Sequence, residues 1–316
     1  MSADRRVTVF GASGFVGRHV VQRLARQGWI VRACSRDPVA AAFLKPMGNV
    51  GQVVPMRADI TDEAMLAAAV DGAEAVIDLV GILAESGAQT FAALHAEAPA
   101  RLARAAKAAG ATSFIHVSAL GADANSASSY ARSKAAGEAG VRAAFPEATV
   151  FRPSIVFGPE DSFFNRFARM AQWLPALPLI GGGETKFQPV YVGDLAEAIV
   201  RAIGNADAKG RTFEAVGPRV YTFRELMEYL LRTIDRHRGL IPLPFPLAEI
   251  KGAILGCLPV KFLTRDQVIQ LKSDNVGTGA PGLAALGVAP AAMEAIVPDY
   301  LAAYRRGGRF GDKRTA

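Results

Sequence analysis

A glycine-rich turn near the N-terminus constrains the fold of this chain more than any other feature. The turn follows a short apolar run, Val7–Phe10, and its sequence is Gly11-Ala12-Ser13-Gly14-Phe15-Val16-Gly17. Apolar residues then recur with the spacing of a helix. A buried parallel strand, a glycine turn and a helix, in this order, form the context in which such glycines bind a dinucleotide.

Each glycine has its own physical role in a turn of this kind. Gly11 permits the tight turn, Gly14 lets the backbone approach a pyrophosphate, and Gly17 lets the helix pack closely on the strand. The helix N-terminus then faces the phosphates with free N–H groups and the positive end of its dipole. The candidate cofactor contacts in the turn are therefore Gly11, Ser13, Gly14, Phe15, Val16 and Gly17.

Strands and helices alternate through the first half of the chain. The predicted strands are Val7–Phe10, Trp29–Ala33, Val53–Met56, Ala75–Val80, Phe114–Val117 and Thr149–Phe151. The predicted helices between them are Val16–Gln27, Glu63–Val70, Gln89–Ala109 and Ser129–Ala144. This alternation predicts an α/β fold with a doubly wound parallel sheet of Rossmann type, which binds its ligands at the carboxyl ends of the strands.

The second half of the chain is richer in proline and glycine and predicts a smaller, discontinuous C-terminal α+β region over the cleft. We assign residues 1–157 to the dinucleotide-binding domain, with return segments near 188–217. Residues 158–187 and 218–304 form the C-terminal substrate-type or docking region, and 305–316 a basic tail. The apolar stretch Leu247–Leu258 is too short to span a membrane. It predicts either a buried helix or an exposed apolar face for a partner or a membrane.

Composition excludes several classes of function. The net charge of +7 comes from scattered basic residues without interleaved aromatic ones, which argues against nucleic-acid binding. No apolar run approaches the ~18 residues that a membrane span needs, and the N-terminus has no room for a signal peptide. Cys34 and Cys257 make no disulfide framework, which fits a reducing cytoplasm, and Cys34 is expected to be buried. His19, His116 and His237 have no partner spacing, so no metal site is expected.

The end of the second predicted strand favours NADP(H) as the cofactor. In this fold the residue after that strand meets the adenosine ribose, where an acidic residue binds the 2′-hydroxyl of NAD and an arginine accommodates the 2′-phosphate of NADP. Here the strand ends in Ser35-Arg36-Asp37. Arg36 is placed to meet a phosphate, Ser35 adds a hydroxyl, and Asp37 is interpreted as a turn residue.

Two further strand ends supply candidate cofactor contacts. Asp59 and Ile60 follow the third strand, where a carboxylate either accepts from the adenine amine or helps to cap the next helix. Val80 and Gly81 close the fourth strand, where small and apolar residues let the chain pass close to the cofactor.

A serine, a tyrosine and a lysine form a candidate catalytic set. Tyr130 and Lys134 are four residues apart, which places both on one face of a helix, and Ser118 ends the fifth predicted strand. Tyr130 would exchange a proton with a carbonyl or alcohol oxygen, Lys134 would lower the pKa of Tyr130 and position the ribose, and Ser118 would bind the substrate oxygen.

These motifs resemble the short-chain dehydrogenase/reductase superfamily in its extended form. The resemblance covers nearly the whole chain and includes the segments Arg152–Pro159 and Pro189–Ala196. It implies cofactor contacts at Pro153 and Ile155 and a substrate site shaped by the C-terminal region. It also implies an NADP-dependent reductase, dehydrogenase or epimerase acting on a small carbonyl compound.

A narrower resemblance is carried by Phe213–Pro218 and Arg265–Asn275. These segments are similar to those of the family of NADPH-binding accessory subunits of respiratory complex I and their bacterial relatives. The resemblance implies a cofactor that is held rather than turned over. It also implies complex I subunits as partners and a cytoplasmic protein peripherally attached to the inner side of the respiratory membrane. A factor linked to ubiquinone biosynthesis is a third hypothesis.

One position departs from the pattern of the enzymes. His95 occupies the place where the superfamily resemblance implies an asparagine that organises a water near the lysine. Without that asparagine, the relay of protons through the water near the lysine is in doubt. His95 is interpreted either as a substitute hydrogen-bonding group or as a buried histidine whose hydrogen bonds are satisfied.

Overall fold

The computed structural model describes residues 5–256 and 264–308, with the backbone alone for 251–256. Cys257, Leu258 and the part of the basic tail after Gly308 lie outside the described residues. The chain forms two compact units, each taken over its described residues. The first comprises Met1–Pro153, Gly193–Ala215 and Thr278–Ala289, and the second comprises Ser154–Val192, Val216–Gly277 and Pro290–Ala316.

The strands and helices follow one another in this order. The strands are β1 (Arg6–Phe10), β2 (Ile30–Ser35), β3 (Val53–Arg57), β4 (Ala75–Asp78), β5 (Ser113–Val117), β6 (Thr149–Pro153), β7 (Val156–Phe157), β8 (Ala176–Ile180), β9 (Lys186–Phe187), β10 (Val190–Tyr191), β11 (Thr212–Ala215), β12 (Tyr221–Thr222) and β13 (Gly239–Leu243). The α-helices are α1 (Phe15–Arg26), α2 (Glu63–Val70), α3 (Ala98–Ala108), α4 (Ser129–Ala144), α5 (Phe164–Trp173), α6 (Val192–Ala202), α7 (Phe223–Thr233), α8 (Phe245–Gly256), α9 (Arg265–Gln270) and α10 (Met293–Leu301).

The first unit is built on a seven-stranded sheet with the order β11-β6-β5-β4-β1-β2-β3. Every pairing in this sheet is parallel, which confirms the predicted doubly wound α/β fold. The strand order reverses between β1 and β4, and a crevice opens at the carboxyl ends of such neighbours. The glycine turn follows β1 and therefore lies at this reversal.

The segment 278–289, which the sequence places with the C-terminal region, belongs to the first unit. Glu214 of β11 holds it there, because its side chain accepts hydrogen bonds from the backbone N–H (2.7 Å) and the hydroxyl (2.8 Å) of Thr278. The backbone of Glu214 also forms an isolated bridge with Gly282. This return contact links residues far apart in the sequence and leaves no local signal.

The predicted helix Gln89–Ala109 is interrupted. Ala92–Glu97 form a π-helical segment, and α3 begins only at Ala98. Pro99 explains the interruption, because its ring would clash with the carbonyl of residue 95 in a continuous α-helix. The freed carbonyl oxygen of His95 lies against α4, where a Cβ at Gly137 would approach it to 2.0 Å. The pair of Pro99 and Gly137 thus sets the position of His95.

The second unit contains three two-stranded pairings, β10 with β7, β12 with β9 and β13 with β8. Its core is rich in phenylalanine and leucine from β7, α5, α7 and α10. The Leu247–Leu258 stretch begins in α8, where Ala248 is buried but Leu247 and Ile250 are 52% and 60% exposed. Within 5–256 and 264–308, no helix has the length and apolar character needed to cross a membrane.

Candidate dinucleotide site and catalytic set

The glycine turn is packed so tightly that side chains would not fit in it. Gly11 has a φ of +76°, and a Cβ there would lie 3.0 Å from the backbone of Leu79. The N–H of Gly14 donates to the carbonyl oxygen of Gly11 at 3.0 Å. A Cβ at Gly17 would lie only 2.2 Å from that same oxygen. The glycines therefore let the backbones of strand and helix come into close contact, the geometry that leaves room for a pyrophosphate.

The N-terminus of α1 fits an anionic ligand. Gly14 is its N-cap and supplies no side chain to cap the first turn, which also lacks an acidic residue. Neither a capping side chain nor a carboxylate therefore competes for the N–H groups and the positive dipole end near Phe15 and Val16. This first turn is suited to the phosphates of a dinucleotide.

The adenosine end of the site lies at the carboxyl end of β2. The hydroxyls of Ser13 and Ser35 lie 3.5 Å apart, which joins the glycine turn to the strand end. The carboxylate of Asp37 accepts from the N–H groups of Val39 (2.9 Å) and Ala40 (3.0 Å). Asp37 thus closes the turn that leads into the following 3₁₀ helix, as its interpretation as a turn residue implies, and Arg36 is exposed beside it.

The structure decides against one of the two roles considered for Asp59, the capping of α2. Asp62, not Asp59, caps α2 by accepting from the N–H of Met65 at 3.0 Å. Asp59 accepts from the N–H (2.9 Å) and hydroxyl (2.7 Å) of Thr61. These bonds lower the pKa of the Asp59 carboxyl, with a smaller contribution from the charge of Arg36. Ile60 is buried beside them at 5% exposure.

Two of the candidate catalytic side chains, Ser118 and Lys134, come together where β5 ends against α4. Ser128 caps α4 by accepting from the N–H of Ala131 at 3.2 Å. Lys134, one turn after Tyr130, donates its Nζ to the carbonyl oxygen of Val117 at 3.2 Å and so lies beside Ser118. The Oγ of Ser118 is buried and has no hydrogen-bond partner among the described residues.

Lys134 is 4% exposed, and this burial lowers the pKa of its ammonium group. The negative charges of Asp78 and Glu138 act in the opposite direction. The chain after β4 passes close to the same group, since a Cβ on Gly81 would lie 3.6 Å from Nζ. The N–H of Val80 donates to the Asp78 carboxylate at 3.1 Å, which fixes the backbone of the segment after β4.

His95 is buried and has hydrogen bonds at both ring nitrogens. Its Nε2 accepts from the N–H of Ile82 at 3.0 Å, so the ring proton lies on Nδ1, which is 3.1 Å from the Oγ of Ser133. The ring stacks on Phe91 and meets the ring of Tyr130 edge-on, with centroids 5.3 Å apart in both cases. Burial, reinforced by the charge of Lys134, lowers the pKa of His95 to about 3.

No partner for His116 is evident from the sequence, but the structure provides one. His116 donates from Nδ1 to the carboxylate of Asp78 at 2.9 Å, and both side chains are completely buried. The two residues are directly paired across β4 and β5, so their proximity depends on strand neighbours 38 residues apart. A polar residue near the end of each of two predicted strands was the available signal.

The remaining predicted positions divide between the units. Pro153 ends β6 in the first unit, where its carbonyl oxygen accepts from the N–H of Leu120 at 3.0 Å. Ile155 belongs to the second unit and packs against its apolar core. Cys34 is buried in β2, where burial raises the pKa of its thiol to about 12.

A glycine cradle at the strand-order reversal, with serine, tyrosine and lysine where β5 meets α4, defines an NAD(P)-binding protein of the short-chain dehydrogenase/reductase type. The profile of the NAD dependent epimerase/dehydratase family matches residues 7–215, and the chain belongs to this family. A nicotinamide dinucleotide is accordingly the class of cofactor for which the site is built.

Two curated relatives and one solved structure are similar over most of the chain. The mouse mitochondrial NADH dehydrogenase [ubiquinone] 1 alpha subcomplex subunit 9 is 41% identical over 293 residues, covering 91% of this chain and 77% of that protein. The ceramide reductase of Caulobacter vibrioides is 33% identical over 258 residues, covering 81% and 79%. The Escherichia coli NADPH-dependent quinone oxidoreductase complexed with NADPH superposes with a TM-score of 0.74 at 22% identity, covering 93% of this chain and 99% of that one. This last likeness concerns the fold alone.

Proposed function

We propose that this chain is an NADP(H)-holding accessory subunit of respiratory NADH:ubiquinone oxidoreductase. The observation that carries the proposal is the 41% identity to the mouse alpha subcomplex subunit, spread over 91% of this chain. A likeness confined to the dinucleotide-binding half would indicate only the cofactor. This one extends through the second unit and includes the Arg265–Asn275 segment.

The surroundings of His95 support a cofactor that is held rather than turned over. At this position the side chain uses one ring nitrogen to accept from a backbone N–H and the other to contact a serine hydroxyl. With its pKa lowered to about 3, the ring does not exchange protons near neutral pH. His95 is therefore a poor substitute for a water-organising asparagine and a good rigid support for the ring of Tyr130.

The adenosine end supports NADP(H) over NAD(H). The Oδ1 of Asp37 accepts from two backbone N–H groups, which fixes this carboxylate in the turn after the strand end. Arg36 is exposed and free to turn toward a 2′-phosphate, and the paired hydroxyls of Ser13 and Ser35 line the same strand end. This arrangement of one cation and two hydroxyls matches a phosphate better than a diol.

Exposed apolar side chains of the second unit support attachment to a partner at the membrane. Trp173 at the end of α5 is 84% exposed, and Ile241 on β13 is 58% exposed. Leu247 and Ile250 of α8 add to this apolar surface. We place the chain on the cytoplasmic side of the respiratory membrane, docked to subunits of the complex, with direct contact to lipid as a further element of the proposal.

A second function, that of an NADP-dependent reductase of a carbonyl compound, is favoured by one observation. The Oγ of Ser118 is buried and has no partner within the described residues, as expected of a donor reserved for a substrate oxygen. The likeness to a ceramide reductase is consistent with such chemistry. In this case Ser118 would bind the oxygen, Tyr130 would move the proton, and the nicotinamide would supply hydride.

Deletion and complementation distinguish the two functions. A strain lacking this chain is complemented with the wild type, with Ser118→Ala or with Gly17→Val, and the assembled respiratory complex is measured on native gels. The accessory-subunit proposal predicts that Ser118→Ala restores the complex and that Gly17→Val, which destroys the cradle, does not. Full assembly in the deletion strain would refute the proposal.

A further inference from the structure

The charge of Lys134 requires a counterion, because burial of an ammonium group is costly unless it is paired. Lys134 is 4% exposed, and the described hydrogen bond of its ammonium group goes to an uncharged acceptor, the carbonyl oxygen of Val117. Three titratable groups act on its charge: Asp78 of β4, Glu138 of α4 and His95 of the π segment.

Glu138 and His95 do not provide the counterion. The Glu138 carboxylate forms a two-point ion pair with Arg152, with distances of 2.9 Å to Nε and 2.7 Å to the terminal nitrogen. Its charge is therefore already neutralised. His95 is uncharged, since a backbone N–H donates to its Nε2.

Asp78 differs from these groups. Two donors, the N–H of Val80 at 3.1 Å and the Nδ1–H of His116 at 2.9 Å, hold its carboxylate at the carboxyl end of β4. Neither donor is a lysine or an arginine, whereas Glu138 is paired with Arg152. The next residue after His116, Val117, supplies the carbonyl oxygen that Lys134 contacts, so the carboxylate is held on the strand beside the ammonium group.

We propose that Asp78, oriented by His116, is the counterion that keeps Lys134 charged in its buried position and thereby retains the dinucleotide. Asp78 is a positioning residue in this account, since it acts on the cofactor through Lys134. The inference deepens the proposed function and rests on it. The buried carboxylate at the end of β4 thus contributes to cofactor affinity and not to proton transfer.

A double-mutant cycle on NADPH binding tests the proposal with the purified full chain. The variants are Asp78→Asn, Lys134→Met and the double variant, and the readout is the Kd from quenching of intrinsic fluorescence. Asp78→Asn is expected to weaken binding about tenfold at pH 8, the equivalent of one pKa unit. In the Lys134→Met background the same change is expected to have no further effect, because the charge that it supports is gone. Additive losses would overturn the proposal.

The pH profile separates a charge effect from a structural one. Without Asp78 the pKa of Lys134 falls further, so NADPH affinity of Asp78→Asn should fall as pH rises from 6 to 8.5 and approach the wild-type value at the acid end. Asp71→Asn, which removes an exposed carboxylate of equal charge, is the matched control and should follow the wild type. A loss by Asp78→Asn that is the same at every pH would contradict the account.

A replacement variant and two further outcomes keep the test decisive. If Asp78→Asn does not melt cooperatively, His116→Leu takes its place in the cycle, since it removes the donor that orients the carboxylate and should show the same coupling to Lys134. If the wild type binds NADPH and neither variant couples, the counterion proposal fails and the proposed function stands. If the wild type binds no NADPH, the proposed function itself fails.

Discussion

The backbone N–H of Ile82 donates to the Nε2 of His95 at 3.0 Å, joining the loop after β4 to the π segment before α3. This bond fixes the protonation of a buried ring that lies against Tyr130. The His95 ring therefore lines the site and does not act as an acid. Burial of this ring also makes the stability of the fold dependent on pH.

The first prediction concerns that pH dependence. The pKa of His95 falls from 6.5 to about 3 on folding, so its stabilising effect is complete above pH 6.5 and is lost as pH falls. Between pH 7 and pH 5 the wild type should lose about 2 kcal/mol of unfolding free energy from this group. Urea denaturation of His95→Gln should show a correspondingly flatter profile. His237→Gln, at an exposed site, serves as the control and should retain the wild-type slope.

The second prediction concerns Tyr130. If the cofactor is held and not turned over, Tyr130→Phe loses one hydrogen bond to the nicotinamide ribose and should weaken NADPH binding by about fivefold, the effect of ~1 kcal/mol. Assembly of the respiratory complex should be unchanged on native gels. Turnover of a carbonyl substrate by the wild type, abolished in this variant, would instead establish the reductase function.

The third prediction concerns cofactor selectivity. Arg36→Ala should raise the Kd for NADPH by at least about tenfold, the effect of losing one charged contact to phosphate, and change the Kd for NADH little. Calorimetry with both nucleotides measures the ratio. Arg26→Ala, which removes an exposed cation from the far end of α1, is the control for net charge. Equal losses for the two nucleotides in Arg36→Ala would rule out the 2′-phosphate assignment.

The fourth prediction concerns the glycine cradle. Gly17→Ala places a methyl group 2.2 Å from the carbonyl oxygen of Gly11, so strand and helix must move apart. We expect a loss of about 3 kcal/mol of stability, as for overpacking in a core, together with loss of NADPH binding. Gly121→Ala is the matched control, because a Cβ there meets nothing within 4 Å. Wild-type binding by Gly17→Ala would show that the close approach is not required.

The fold could be predicted from the sequence because its signals are local. Helix α4 begins and ends at the predicted residues, since Ser128 provides a cap and the helical pattern ends just before Phe145. The order of strand, glycine turn and helix identified the cradle. Alternating strands and helices then leave few topologies other than a doubly wound sheet.

The parts of the site that escaped prediction depend on contacts between distant residues. The pairing of Asp78 with His116 requires the knowledge that β4 and β5 are neighbours and in which register they lie. The π segment depends on Pro99 together with the space that Gly137 leaves on another helix. Periodicity along one segment contains neither relationship, although both determine the surroundings of Lys134.

The most direct test of the central claim is to isolate the respiratory complex from native membranes and to analyse its bound nucleotide. The complex is purified through a tag on a different subunit, and this chain is quantified by mass spectrometry together with nucleotide released by denaturation. The account predicts one copy of the chain and about one NADPH per complex purified from the wild-type strain. A complex that lacks this chain, or contains it without NADPH, would contradict the account.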